Sequence, residues 1–519
     1  MSKPFYITTP LYYVNAEPHI GHSYTQVAVD AIARFHRFLG EDVYFMTGTD
    51  EHGEKIEKAS EKAGYKKGDE KAFVNKIHKG FKELWKRLDI NYDFFIRTTD
   101  EEHKKTVRYV LEKLNKKGDI YMKKYKGYFC TPCEMFWSDF QVEGTVCPDC
   151  KRELEKIEED NYFFRISKYQ SWLKEYVETH PDFIKPVSRR NEILGFLKTE
   201  ELIDLCISRP KNRLEWGIKM PFSEDYVVYV WFDALINYIS GAGYPHNMDK
   251  FKKLWPADFH IIGKDILRHH AIYWPIMLKA LDIDMPKTVF AHGWWVFKGE
   301  KMSKSKGNVV DPYYLIDTYG KDAFRYFLLR DIPFGMDGSF TEDSIVKRHD
   351  NDLANDLGNL LNRTLTMVEK YFGGTIPEKP DSAAQAECGK KLARIADALP
   401  DKLKNNMSKL SFSDSLSCIW ELVNTANKYI EDSKPWALSK EKKEDQLKQV
   451  IYDLIGSLRI ITITILPFMP STARAMWQQL GFKENLDTMP FQAIKKRDFL
   501  CKGIKVSKGK PLFPRIKSK

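Results

Sequence analysis

The sequence predicts an α/β fold, a parallel sheet split in two by a metal-binding insertion and followed by an all-α helix bundle. Three observations predict it. Short apolar runs alternate with helix-period stretches over residues 1–117 and again over 226–295, the alternation of a parallel sheet. Between the halves, within residues 118–225, four cysteines stand as two close pairs. From Thr341 the strand patterns stop, and long amphipathic stretches run on to residue 494. Residues 296–340 are a loop and linker between sheet and bundle, and 495–519 a basic tail.

At 519 residues the chain has room for about three domains, and 43% hydrophobic residues fill ordinary cores. No apolar run reaches the roughly 20 residues of a membrane span, and MSKPFYITT runs into the first strand without a signal or transit segment. A soluble, cytoplasmic protein with no membrane partner is expected. Net charge is +10, which suits an acidic partner. Much of it is local: Lys495 to Lys519 holds ten Lys or Arg and one Asp, either a solvated or disordered tail or a contact to RNA phosphates. Cys206, Cys388, Cys418 and Cys501 are scattered and read as reduced packing residues.

The first element is a short buried strand, Phe5 to Thr8. A helix from Tyr24 to Leu39 follows, with Val27, Ala28, Ala31, Ile32, Phe35 and Leu39 at helical spacing. Pro18 to His22 falls where the loop enters that helix. Unpaired amides and the positive end of the helix dipole suit an anion there, a phosphate above all. Gly21 lets a ligand approach the backbone, and His19 and His22, three apart, share a face. Histidines that only satisfy neighbouring backbone groups are the alternative. Val43 to Gly48 is a second strand and completes a βαβ unit. Thr49, Asp50, Glu51, His52 and Gly53 follow, where open α/β sheets bind ligands, and are expected beside His19 and His22. Asp50 can hold an ammonium there, or cap the helix Glu54 to Ala63. Helices Asp69 to Leu88 and Asp100 to Lys117, around a strand at Tyr92 to Arg97, finish the half-sheet.

Cys130, Cys133, Cys147 and Cys150 form C-x2-C-x13-C-x2-C, with Pro132 and Pro148 inside the pairs. Four thiolates at knuckle spacing suit tetrahedral zinc and leave no vacancy for a catalytic water, so one structural Zn2+ per chain is expected. An iron–sulfur centre or redox pairs are the alternatives. The sheet pattern resumes at Tyr226 to Phe232 (YVVYVWF), read as a buried strand, and a helix Asp233 to Ser240 turns Trp231, Ala234 and Tyr238 toward the sheet. Phe259 to Gly263 is another strand, ending in Lys264 and Asp265. The helix Ile266 to Leu281 sets His270 and Trp274 on one face, for which core packing is the default account. After Val289 to His292 a loop leads to Lys301, Met302, Ser303, Lys304 and Ser305. Two lysines and two hydroxyls in a loop that can close suit a triphosphate; alone, a solvated basic loop would look the same.

PHIGH and KMSKS, about 280 residues apart on the two halves of a split Rossmann-like sheet, together resemble the paired signatures of class I aminoacyl-tRNA synthetases. PLYYVNAEPHIGH, GTDEHG, VWFDALINY, HIIGKDILRHHAIYWP and HGWWVFKGEKMSKSKGN resemble, in order and spacing, the blocks of the methionyl-tRNA synthetase family. The resemblance implies a ligase that activates L-methionine with ATP and Mg2+. It then transfers the methionyl group to the 3′ end of tRNA(Met), initiator tRNA included. Leu11, Tyr13, Trp231, Ala234, Leu235, Tyr238, His270 and Trp274 would surround the methionine side chain, and Asp50 would take its ammonium. His19, Gly21, His22, Asp265, Lys301 and Lys304 would serve ATP, with His19, His22, Lys301 and Lys304 catalytic. This agrees with the chemistry of a thioether, which offers little to hydrogen-bond and is best held by aromatic walls. Leu235 and His269 stand where other members carry different residues, and His269 is left out of the expected site. With only about 110 residues between the halves, the large editing insertion of the isoleucine, valine and leucine enzymes is missing. A cysteine enzyme would need a metal on its substrate thiol, and here the clustered cysteines are consumed by their own site.

The amphipathic stretches Ile345 to Tyr371, Gly389 to Leu399, Asp414 to Ser433 and Glu444 to Leu466 predict the bundle. Two spots in it resemble the family's anticodon reader: Asn359 with Arg363 on one helix, and Lys434, Pro435 and Trp436 at a helix junction. Single-stranded bases are read by stacking on aromatics and by hydrogen bonds to their edges. A structural Trp is the alternative. The chain ends soon after PLFPRI without the oligonucleotide-binding barrel that makes some relatives dimeric, so a monomer is expected. Two other functions compete: a non-catalytic RNA-binding protein on a synthetase fold, and a ligase that charges a small acceptor. The intact phosphate and amino-acid sets argue against the first, the RNA-reading helices against the second.

Overall fold

The structure is a computed structural model that describes residues 3–131, 133–137, 142, 144–148, 150–297, 300–301, 310–380, 387–495 and 503–516, with the backbone alone at 297, 300 and 301. It divides into two compact units. The first comprises Met1–Pro18, Asp42–Trp85 and Tyr92–His292; the second comprises His19–Glu41, Lys86–Asn91 and Gly293–Lys519.

The first unit is built on a six-stranded parallel sheet. Its order is Phe94–Arg97, Val43–Asp50, Phe5–Tyr13, Phe259–Gly263, Thr288–His292 and Ile184–Lys185. The edge strand Ile184–Lys185 comes from the insertion. The first strand runs five residues past its predicted end because a register shift between Thr8 and Leu11 absorbs Pro10, which has no amide for the ladder. That irregularity re-aims Leu11 and Tyr13. An apolar core from Tyr6 and Met46 through Val107 and Leu111 to Ile262 and Ala291 lies against the sheet.

Two sequence expectations need correction here. Only Tyr226–Val228 of the YVVYVWF run is a strand, and it pairs antiparallel with Ser208–Pro210 rather than joining the parallel sheet. From Val230 to Leu235 the chain is helical, with Val230, Phe232, Asp233, Ala234 and Leu235 all buried. An unbroken apolar run has no period to separate a buried strand from a buried helix. The stretch Ile266 to Leu281 is not one regular helix either: a 3₁₀ turn, Lys264–Ile266, leads to a π-helical segment, His269–Tyr273, and then to an α-helix, Trp274–Ala280. Pro275 offers no amide to the carbonyl of Ala271, and widening the preceding turn relieves the clash of its ring.

The insertion forms a four-stranded sheet in the order Met135–Trp137, Ile120–Cys130, Glu155–Phe164, Leu205–Cys206. Its cysteine pairs lie at the Cys130 end of the long hairpin.

The second unit is mostly helical. It contains the helix Ile20–Phe38 and the bundle helices Asn359–Phe372, Glu387–Ser408, Phe412–Ser433 and Glu444–Ile465. The helix expected to stop at Leu399 runs through Pro400 to Ser408. The described part of the basic tail from residue 503 is anchored at a few points, while Lys505, Lys508, Lys510 and Arg515 stay exposed: Val506 donates its amide to the Gly374 carbonyl at 2.9 Å, and Phe513 is buried beside His349. Among the described residues no helix is long and apolar enough to cross a membrane.

Candidate active site

The first strand pairs with Val43–Asp50 on one side and Phe259–Gly263 on the other, so the strand order reverses beside it. Open α/β sheets bind ligands outside the carboxyl ends of their strands at such a point. Tyr13 and Asp50 stand opposite each other in the last register of their pair. Asp50 is 2% exposed, and its Oδ1 is buried without a hydrogen-bond partner. Burial first, then the charges of Asp233 and Glu134, push its carboxyl well above the usual carboxylate range. A buried carboxylate oxygen with no donor is costly, and a ligand ammonium is the group that would satisfy it.

The Tyr13 ring meets Trp231 edge-on with centroids 6.2 Å apart, and Trp231 stacks on His269 at 3.7 Å. His269, absent from the expected site, is thus brought into it. Its place beside His270 is the signal in the sequence, set aside because other family members carry a different residue there. Leu11 is half-buried near the end of the first strand. Ala234 and Leu235 are buried, and at three and four positions beyond Trp231 they share its helix face.

Tyr238, His270 and Trp274 make a second wall. The Ile266 carbonyl lies 2.9 Å from His270 Nδ1 and the Tyr238 hydroxyl 2.7 Å from Nε2. A carbonyl only accepts, so Nδ1 carries the proton and Nε2 accepts from the tyrosine. Burial brings His270 down to about 4, so the ring is neutral at physiological pH. His260 follows the same logic beneath it. Trp274 Nε1–H donates to His260 Nε2 at 3.3 Å, which leaves Nδ1–H for the Thr8 hydroxyl at 2.8 Å, and Tyr238 stacks on the ring at 4.1 Å. The result is an aromatic, buried and uncharged wall, the surface a thioether prefers.

Asp233 braces the site from within. It accepts from His52 Nδ1 and from His103 Nε2, each at 2.7 Å, and His103 Nδ1 lies 2.8 Å from Ser240 Oγ. Burial opposes its charge, yet the two histidines hold the Asp233 carboxyl below the usual carboxylate range. His52 and Asp233 lie inside sequence blocks that stand out, but nothing in either block pairs them.

In the second unit His19 caps the helix Ile20–Phe38. Its Nδ1 accepts the Gly21 amide at 3.1 Å, His22 Nδ1 accepts the His19 amide at 3.1 Å, and the two rings stack at 3.8 Å. The backbone use of these histidines is therefore real. It also fixes the proton of each neutral ring on Nε2, which makes that nitrogen a donor. A Cβ at Gly21 would sit 3.0 Å from the His19 ring, tight enough to disturb the cap. Asp265 is exposed in the turn just beyond the strand Phe259–Gly263. Lys304 lies outside the described residues, and of Lys301 only the backbone is described, in the short strand Glu300–Lys301.

The Sγ atoms of Cys130, Cys133, Cys147 and Cys150 all lie within 4.8 Å of one another. Zinc with four Zn–S bonds of about 2.3 Å would set its sulfurs about 3.8 Å apart, so the cluster can hold it. In the helical unit Asn359 is exposed at the start of its helix, and Arg363 four residues on pairs with Glu431 at 2.6 Å. Lys434 ends the preceding helix in a left-handed conformation, Pro435 opens the next, and Trp436 beside it is 47% exposed.

Residues 5–158 and 152–365 match the family described as tRNA synthetases class I (M), and residues 391–506 match the anticodon-binding domain of tRNA ligases. Among curated proteins, the chain is 52% identical over 518 residues to a methionine–tRNA ligase of Caldanaerobacter subterraneus, covering 99% of this chain and 79% of the relative. It is 49% identical to that of Clostridium acetobutylicum, covering 99% and 78%. Among solved structures, Mycobacterium tuberculosis methionyl-tRNA synthetase in complex with methionyl-adenylate aligns with a TM-score of 0.93 at 39% identity, over 99% of this chain and 100% of that one. The free-state structure of the same enzyme aligns with a TM-score of 0.86 at 36% identity, over 100% and 99%.

Proposed function

The chain belongs to the class I methionyl-tRNA synthetase family, and on that premise we propose how its residues divide the work. The enzyme joins methionine to tRNA at the expense of ATP. The observation that carries the site assignment is the unpartnered Oδ1 of buried Asp50 beside an uncharged aromatic wall. One end takes an ammonium and the other a thioether. Leu11, Tyr13, Trp231, Ala234, Leu235, Tyr238, His270 and Trp274 line the methionine side chain, with His269 added behind Trp231.

The methionine carboxylate attacks the α-phosphorus of ATP in line and pyrophosphate leaves. The Nε2–H groups of His19 and His22, with Lys301 and Lys304, stabilise the charge on the transferring phosphate, while Gly21 and Asp265 complete the nucleotide contacts. Mg2+ bound with ATP would supply further neutralisation of the phosphate charge. A hydroxyl of the terminal ribose of tRNA then attacks the carbonyl carbon of the methionyl adenylate, the acyl–phosphate bond breaks and AMP leaves. Replacing Lys304 with Ala lowers adenylate formation by about a hundredfold or more without changing the melting temperature. Normal activation by that variant would remove Lys304 from the machinery.

Cys130, Cys133, Cys147 and Cys150 would hold one Zn2+ in a structural role, since a set of four thiolates leaves no position for a catalytic water. Asn359, Arg363 and Trp436 read the anticodon of tRNA(Met), initiator included; the exposed ring and the two polar side chains suit unstacked bases. Trp436→Ala lowers the charging rate at limiting tRNA about tenfold and leaves pyrophosphate exchange unchanged. We further propose a cytoplasmic monomer in which residues 1–117 and 226–295 form the catalytic halves, 118–225 the zinc insertion and 341–494 the anticodon-binding bundle. The test of the whole assignment is amino-acid-dependent exchange of labelled pyrophosphate into ATP, run with each of the twenty amino acids and without tRNA. Methionine alone supports exchange; exchange with another amino acid would overturn the pocket.

A further inference from the structure

We infer that Glu134 is a positioning residue for the amino-acid pocket, through which the cysteine knuckle holds Tyr13 and the helix after GTDEHG in place. The inference rests on the reading of Tyr13 as part of the methionine pocket. Glu134 directly follows Cys133, yet it is 2% exposed. Its φ of +50° lies in the left-handed region, uncommon for a residue with a side chain and retained where the surroundings over-determine it.

Three segments of the pocket converge on this one residue. Oε2 accepts the Tyr13 hydroxyl at 3.1 Å. Oε1 accepts the amide of Lys55 at 2.8 Å, within the first turn of the helix Glu54–Lys62. The backbone carbonyl accepts the hydroxyl of Tyr229, the residue that precedes the helix bearing Trp231. The helix Glu54–Lys62 has Gly53 at its N-cap and no cap from its own segment, so Glu134 supplies the anion that its open amides and dipole favour. Gly53 is suited to this arrangement: its φ is +105°, and a Cβ there would stand 2.6 Å from Glu134 Oε1. A second tie runs in parallel, since Arg209 packs over Phe129 of the knuckle hairpin at 3.7 Å and pairs with Glu54 of the same helix at 3.1 Å.

The Glu134 carboxylate fixes the Tyr13 hydroxyl, and with it the ring that meets Trp231. Losing it weakens methionine binding more than the chemical step. The test is pyrophosphate exchange and equilibrium binding of labelled methionine on Glu134→Ala, Glu134→Gln, Tyr13→Phe and Tyr13→Ala, with metal content and melting temperature measured on each. Glu134→Ala raises the methionine KM and the dissociation constant about tenfold, the loss of one buried charge-assisted hydrogen bond, with kcat within threefold and bound metal unchanged. Glu134→Gln restores most of the binding, because its amide can still meet Lys55 and Tyr13. Tyr13→Phe, which leaves the knuckle untouched, reproduces the loss, and when Glu134→Ala and Tyr13→Phe are combined the two effects do not add. Methionine binding within twofold of the parent in either Glu134→Ala or Tyr13→Phe would overturn the inference, and the second variant decides if the first loses its metal. If Tyr13→Ala also binds methionine normally, the pocket reading itself fails; if only Tyr13→Ala binds weakly, that reading stands and Glu134 is structural.

Discussion

Asp50→Asn raises the methionine KM in pyrophosphate exchange by about two to three orders of magnitude, the range for losing one partner of a buried charge pair. The same change does not destabilise the free enzyme, and its melting temperature stays level or rises. The asymmetry follows from the geometry. Without a ligand the buried Oδ1 has no donor, and burial with two neighbouring carboxylates already disfavours its charge. A folded-state pKa raised above the unfolded value means that ionising Asp50 costs stability above the unfolded pKa, and asparagine removes that cost. With methionine bound, the same oxygen meets an ammonium. The pH dependence separates the two roles: the parent's methionine KM rises as the pH falls toward the raised Asp50 pKa, whereas the Asp50→Asn variant shows a flat profile over that limb. A variant with an unchanged KM would take Asp50 out of the site.

Arg325→Met unfolds the second unit at a markedly lower denaturant concentration, a loss of about 3–5 kcal/mol by equilibrium denaturation. Arg325 is fully buried. It donates to Asp30 at 2.7 Å, to the Phe468 carbonyl at 2.8 Å, and to the Leu88 and Pro467 carbonyls at 3.1 Å. Methionine fills the space but strands the three carbonyls and leaves Asp30 only Arg34, at 2.7 Å, and the Asn91 amide, at 2.8 Å. Burial alone would raise the Asp30 carboxyl, but Arg34 and Arg325, with the Asn91 amide, hold it below the usual range. A depressed folded-state pKa contributes stability above the unfolded value and loses it as the pH falls through the folded one. In the Arg325→Met variant that acid limb therefore shifts to higher pH. Adding Asp30→Asn deepens the loss, since it also takes the carboxylate from Arg34, its partner at 2.7 Å; recovery instead would mean that Asp30 is left undercompensated without Arg325.

Some of this molecule is written in short stretches. The four cysteines declare a metal cluster because ligand spacing on a knuckle is a local property, and their sulfurs do converge. The approach to the helix at Ile20 was legible from Pro18 to His22, since caps act within one turn. Asp50 stood out by its place after a strand, although its orphan oxygen became visible only in the packed structure. Trp436 and its junction were singled out by their resemblance to the family's anticodon reader, and the ring is exposed there.

Other features were decided only by tertiary structure. The YVVYVWF run became a three-residue antiparallel strand and a buried helix, because a fully apolar stretch takes whichever conformation its neighbours can cover. A π-helical turn precedes Pro275, and His269 at its start stacks on Trp231. Asp233 met histidines 181 and 130 residues away, and Glu134 met Tyr13 across 121. Sequence by itself determined the fold class and the cysteine cluster, because hydrophobic period, caps and ligand spacing are interactions between near neighbours, and the resemblance of its motif blocks to a known family named most of the residues proposed for the pocket. The packed structure alone decided which buried polar groups brace that pocket, because a buried charge finds its partner by proximity in space, and no local pattern records it.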